Sequence, residues 1–153
     1  MKGPAPFNPP PELGDVLWCR FPEVEGIGPG PKPRPCIVVW ISDAPAPGYP
    51  FRIRVVYGTS SFKGSPRPTE FDIDPIAYPA AYRQAGLSEP TRFNLLKTVV
   101  VNFDDMFFAA APNGRGLPSG PTPRLGSLHP SRYRALQDAN AAVVEKGARS
   151  PRR

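Results

Sequence analysis

The chain has 153 residues, and its 24 prolines and 14 glycines make up about a quarter of them, a share that borders on low-complexity disorder. A hydrophobic content of 40% and an aromatic content of 10% exceed what a solvated linker needs. Together they predict one folded domain with proline-rich loops, and the length excludes a multi-domain enzyme, a full-size βαβ nucleotide-binding fold and a repeat array. The net charge of +6 favours an anionic partner, nucleic acid first, although Lys146, Arg149, Arg152 and Arg153 place most of that excess in a tail without acids.

Proline is kept out of helix interiors and central strands, so the proline-free windows mark the elements. Gly14–Phe21 holds Val16, Leu17, Trp18 and Cys19 after a turn-like Gly-Asp pair and reads as a strand. Cys36–Ile41 is short and apolar throughout, as in a strand buried on both faces. From Phe51 to Val55 the residues alternate, which sets Arg52 and Arg54 on one face against Phe51, Ile53 and Val55. Glu70–Ile73 alternates as a short strand. Ala77–Ala85 fits one or two helical turns stopped by Gly86, and Leu95–Phe103 is a valine-rich strand. After Pro130, with Ser131 as N-cap or Pro130 at the first position, Tyr133, Leu136, Asn140, Val143 and Val144 keep helical spacing as far as Gly147. Strands closed by proline and glycine turns, with one terminal helix, predict a small barrel or sandwich. Residues 1–11 form a flexible proline-rich arm, 12–146 the domain and 147–153 a basic tail. Residues 22–35, 44–50 and 112–123 are loops.

Cys19 and Cys36 lie in no CxxC, and His129 is the single histidine. Four soft ligands for zinc cannot be assembled, and no metal or cofactor site is expected. The cysteines read as small buried hydrophobes, and Asp104-Asp105 as a solvated turn. His129, before Pro130, suits a surface or capping role. No stretch has the apolar length of a signal or a membrane span, so a cytoplasmic protein without membrane contact is expected.

Several segments, in order, carry a resemblance. Gly14-Asp15-Val16-Leu17-Trp18 precedes a long loop and Arg34-Pro35-Cys36-Ile37-Val38-Val39. Then come Val55-Val56-Tyr57-Gly58-Thr59-Ser60-Ser61, Gly86-Leu87-Ser88, Thr91-Arg92-Phe93-Asn94-Leu95 and Gly126-Ser127-Leu128. Across residues 14–145 the chain resembles the MazF/PemK family of toxins from type II toxin–antitoxin systems. The resemblance implies a mainly β, SH3-like small barrel of MazF/CcdB type with a C-terminal helix. It also implies a homodimer, a cognate antitoxin and metal-independent cleavage of single-stranded RNA. Arg34 matches the family's catalytic arginine and Thr59 its catalytic threonine or serine, while Asn94 stands where many relatives have aspartate.

Such cleavage uses the neighbouring 2′-OH as nucleophile. The protein must then accept that proton, stabilise charge on the phosphorane and protonate the 5′-oxygen. Arg34 suits phosphate and transition-state binding, because its planar fork stays charged; outside the family pattern it reads as a surface charge at a strand entry. Thr59 can bind a phosphate oxygen or the 2′-OH, with Ser60 and Ser61 as further donors. Glu25 is either the base or a solvated loop carboxylate. Lys32, Arg52, Arg54 and Arg92, with Lys63 and Arg67, are expected to meet RNA or simply to face solvent. Trp18 and Trp40 read as core or dimer-interface aromatics. The alternative reading is a non-catalytic protein on the same barrel that binds nucleic acid or a protein target, as CcdB binds gyrase.

Overall fold

The computed structural model describes residues 7, 10–22, 28–43, 49–112 and 122–149. Glu25, most of the N-terminal arm, most of the 112–123 loop and the end of the basic tail lie outside them. Six strands form one antiparallel sheet: β1 (Asp15–Cys19), β2 (Arg34–Ser42), β3 (Arg52–Thr59), β4 (Glu70–Ile73), β5 (Thr91–Asn102) and β6 (Arg124–Ser127). Helix α1 (Pro79–Gln84) lies between β4 and β5, and α2 (Tyr133–Arg149) ends the described chain after a 3-10 turn over Pro130–Arg132. The order across the sheet is β4-β5-β3-β2-β1-β6, a curled half-barrel with a C-terminal helix.

Alternation along the strands divides the core between the two faces. Val16, Ile37, Val56, Phe71, Phe93 and Leu95 pack on one face with Ala81, Ala85 and Ala139 of the helices. Leu17, Cys19, Cys36, Val38, Ile53 and Val55 pack on the other. There the chain leaving β5 folds Phe103 and Phe108 over them and bridges Phe108 to Cys19. Both thiols are free and fully buried, and burial pushes that of Cys19 well up.

Helix α1 seats its C-terminal end on β6. A side chain at Gly126 would run into the Gln84 carbonyl, and one at Gly86 into the Leu125 carbonyl. Gly86 also has φ +71°, the left-handed turn that ends the helix. The sheet edge at β6 is thereby covered, which limits stray strand pairing.

Four expectations change. The second strand starts at Arg34 and includes Pro35, since proline is accepted at a strand's entry; its Trp40 is 45% exposed, so that strand is not buried on both faces. Residues 124–127 form a strand too short and too glycine-bearing to stand out. The strand expected at Leu95 begins at Thr91. Helix α2 runs past Gly147 to Arg149, because a glycine ends a helix only where the chain turns left-handed. At its start His129 takes the capping role, its Nδ1 accepting the Ser131 amide at 3.1 Å.

Candidate functional site

Arg34 opens β2. The β2–β3 register ends with Cys36 opposite Tyr57, so Arg34 lies two residues before that pair and Thr59 two residues after it, at the end of β3. Gly58 makes this approach possible, since a Cβ there would lie 2.5 Å from the Pro35 carbonyl oxygen and 2.7 Å from the Phe93 ring. Arg34 and Thr59 thus stand at neighbouring ends of β2 and β3, where the two strands pack closely.

The Arg34 guanidinium carbon lies 5.8 Å from the centre of the Tyr57 ring. Lys97 Nζ lies 5.1 Å from the same centre, and Phe21 meets the ring edge-on at 5.0 Å. Arg34, Tyr57, Phe21, Lys97 and Thr98 line a cleft of about 410 Å³. Arg34 also borders a second cleft of about 360 Å³, with Lys32, Ser60, Leu87, Glu89 and Trp18. Tyr57 and Lys97 border a third of about 250 Å³, with Thr59, Ser61, Lys63 and Arg67. Through these shared walls the three clefts adjoin. The ion pairs among the described residues are Arg92–Asp72, Arg124–Asp15 and Arg134–Asp138, so within that set neither Arg34 nor Lys97 is neutralised.

Thr59 Oγ1 accepts the Ser61 amide at 3.0 Å, a turn that holds the chain leaving β3. Its own proton has only a 3.5 Å contact to the Ser61 carbonyl, too long to be a strong bond, so the hydroxyl keeps its capacity to donate outward.

Other predicted contacts are placed differently. Arg92 is 5% exposed. It pairs with Asp72 through two bonds, 2.7 and 2.9 Å, and donates to the carbonyls of Lys63 and Gly64. With Phe62 4.4 Å from its guanidinium, it is a structural clamp on the loop after β3 and not a free cation. Hydrogen bonding to Asp72 lifts its pKa further. Arg52 pairs in register with Ser42 and Asn102, at the opposite end of β3 from Thr59. Arg54 donates to Thr98 Oγ1 at 3.1 Å and lines a groove beside α2, roughly 17 Å along the strand from Thr59 at about 3.3 Å per residue. Arg52 and Arg54 therefore lie toward the far end of β3 from Thr59, although Thr98, to which Arg54 donates, also lines the Arg34 cleft.

The sequence pattern alone did not single out Tyr57, Lys97 or Glu89. The available signal for Lys97 was a cation between the apolar pair Leu95-Leu96 and the valine run of β5. Among the described residues no group of three or more His, Cys, Asp or Glu side chains comes together to hold a metal ion. Asp104, expected in a solvated turn, is buried, and its Oδ1 accepts the Met106 amide at 3.0 Å. Burial raises its pKa.

The fold and the site define a class: a small curled antiparallel sheet whose strand ends gather cations, unpaired among the described residues, and an aromatic ring around adjoining clefts. No protein-family model matches the chain, and no curated protein matches it. Among solved structures, an endoribonuclease in complex with its cognate antitoxin from a mycobacterial species matches at 16% identity, covering 92% of this chain and 99% of that one with a TM-score of 0.49.

Proposed function

We propose that the protein is a metal-independent endoribonuclease of the MazF/PemK kind, the toxin of a toxin–antitoxin pair, acting on single-stranded RNA. The observation that carries this reading is the position of Arg34. It stands between two clefts, at the strand end next to the one that carries Thr59, with no carboxylate paired to it among the described residues. A guanidinium so placed in a half-enclosed cleft suits a phosphate, which its planar fork can bind bidentately.

In this reading the scissile phosphate sits on the Arg34 fork. The 2′-oxygen attacks phosphorus, the P–O5′ bond breaks, and a 2′,3′-cyclic phosphate and a 5′-hydroxyl result. Arg34 stabilises the charge gathering on the non-bridging oxygens. The Thr59 hydroxyl donates to one of them. Glu89, which lines the same cleft as Arg34 and Ser60, accepts the 2′-OH proton, and water on Arg34 supplies a proton to the 5′-oxygen. Lys32 lines this cleft too and guides the strand. An acidic antitoxin covering the cationic clefts and a homodimer complete the proposal.

The test is incubation of the purified protein, free of antitoxin, with a long RNA of varied sequence in excess EDTA. The expected products carry 2′,3′-cyclic phosphate and 5′-hydroxyl ends, and Arg34→Ala abolishes them. Intact RNA from the folded protein would overturn the reading. Tight RNA binding without cuts would assign it instead to a binding protein of the same fold.

A further inference from the structure

β5 does not run straight past β3. Val56 pairs with Thr98, and the next residue, Tyr57, pairs with Asn94, so Leu95, Leu96 and Lys97 are extra residues on β5. Such bulges re-aim side chains. This one is pinned at three points. Leu95 is buried in the helix-side core, and its amide donates to the Thr69 carbonyl at 2.9 Å. Asn94 Oδ1 accepts the Leu96 amide at 2.9 Å. What emerges beyond the bend is the Lys97 ammonium, over the ring that also faces Arg34.

We infer that Lys97 is a second phosphate-binding cation, set by the Asn94-held bulge to engage a phosphate of the same strand neighbouring the one on Arg34. The inference rests on the proposed nucleic-acid function of the site. Two positive charges on one ring repel, and among the described residues neither has a carboxylate partner. Glu70 shares the third cleft, but its Oε1 accepts the Arg67 amide at 2.9 Å. A strand that lays successive phosphates on Arg34 and Lys97 relieves that repulsion. The half-buried rings of Tyr57 and Phe21 between them offer a stacking surface, the combination by which single strands are held. Asn94 touches no ligand in this scheme and is a positioning residue. An aspartate there can accept the same amide, so its replacement of the family's aspartate preserves the bend.

The probe is a fluorescent single-stranded DNA of mixed sequence. It lacks the 2′-OH, so it reports binding whether or not the protein cuts RNA. Its Kd is measured against salt concentration for wild type, Lys97→Ala, Lys97→Glu, Asn94→Ala and Asn94→Asp. Removing one cation–phosphate pair from a single-strand complex flattens the slope of log K against log salt by about 0.7. The expected result is that flattening in Lys97→Ala and Asn94→Ala, weaker binding still in Lys97→Glu, and a wild-type slope in Asn94→Asp. An unchanged slope in Lys97→Ala, which alters an exposed side chain, overturns the inference, as does flattening in Asn94→Asp equal to that in Asn94→Ala. Equal dependence of poly-glutamate binding on Lys97 also overturns it, since that would make the lysine a general contact for acidic surfaces. If RNA is cut while the slope stays fixed, this inference fails and the nuclease reading stands. If the slope flattens while RNA stays intact, the reverse holds.

Discussion

Arg34 and Tyr57 lie on adjacent antiparallel strands, with the guanidinium carbon 5.8 Å from the ring centre. Among the described residues no hydrogen bond takes up the donor edge of Arg34. A guanidinium that lies near an aromatic ring is steered by the ring quadrupole yet keeps its donors for a phosphate. Arg34→Lys keeps the charge and loses the planar fork. Cleavage by this variant is expected to fall about 100- to 1,000-fold in kcat, the loss typical of one transition-state donor, while binding of the uncleavable DNA strand changes little. Single-turnover cleavage set beside the binding titration separates the two effects.

Arg92 behaves as its burial dictates. Removing it leaves the half-buried Asp72 and two loop carbonyls without their partner, a loss below the roughly 3–5 kcal/mol of a fully buried pair because Asp72 keeps some solvent. Arg92→Ala is expected to lower the urea midpoint sharply, and Arg54→Ala to leave it nearly unchanged because that side chain is exposed. Chemical denaturation followed by tryptophan fluorescence checks both. A stable Arg92→Ala protein with weakened nucleic-acid binding would contradict the clamp role.

Gly58 is where β2 and β3 come closest beside the site. Gly58→Ala puts a methyl against the Pro35 carbonyl and the Phe93 ring. Overpacking of this kind costs about 1–3 kcal/mol, and relief requires the strand ends to part. Activity is expected to fall further than stability alone explains, because the same displacement shifts the strand ends that carry Arg34 and Thr59. Thermal melting and cleavage measured on one preparation provide the comparison.

Asp104 supplies a signed pH prediction. Burial is the main cause that raises its pKa above the ordinary 3.8, and repulsion from Asp105 adds to it. The folded protein therefore holds the proton at a pH where the unfolded chain has released it. Stability drawn from this group falls as pH rises through that window, and above it the ionised carboxylate is a standing cost. Asp104→Asn has no such charge and can still accept the Met106 and Phe107 amides. The melting temperature of the variant minus that of wild type is expected to grow as pH rises from about 3 to about 7. A difference that stays flat or shrinks contradicts the assignment.

What the sequence determined by itself was local. Prolines fenced the strands except at β2, which takes in Pro35, alternation set Arg52 and Arg54 on one face, and Gly86 ended the short helix, because φ restriction and side-chain period act within a few residues. Arg34 at a strand entry and Thr59 after Gly58 were marked by the family resemblance, since locally they read as a surface charge and a turn hydroxyl. The tertiary structure alone decided which cations are free. Arg92 and Lys97 lie five positions apart on one strand and look alike in sequence. Register sets Arg92 against Asp72, which binds it, whereas the bulge at Leu95–Lys97 turns Lys97 over Tyr57 beside Arg34. Register and bulges depend on partners distant in the chain, so no window of sequence could have separated the buried clamp from the exposed charge.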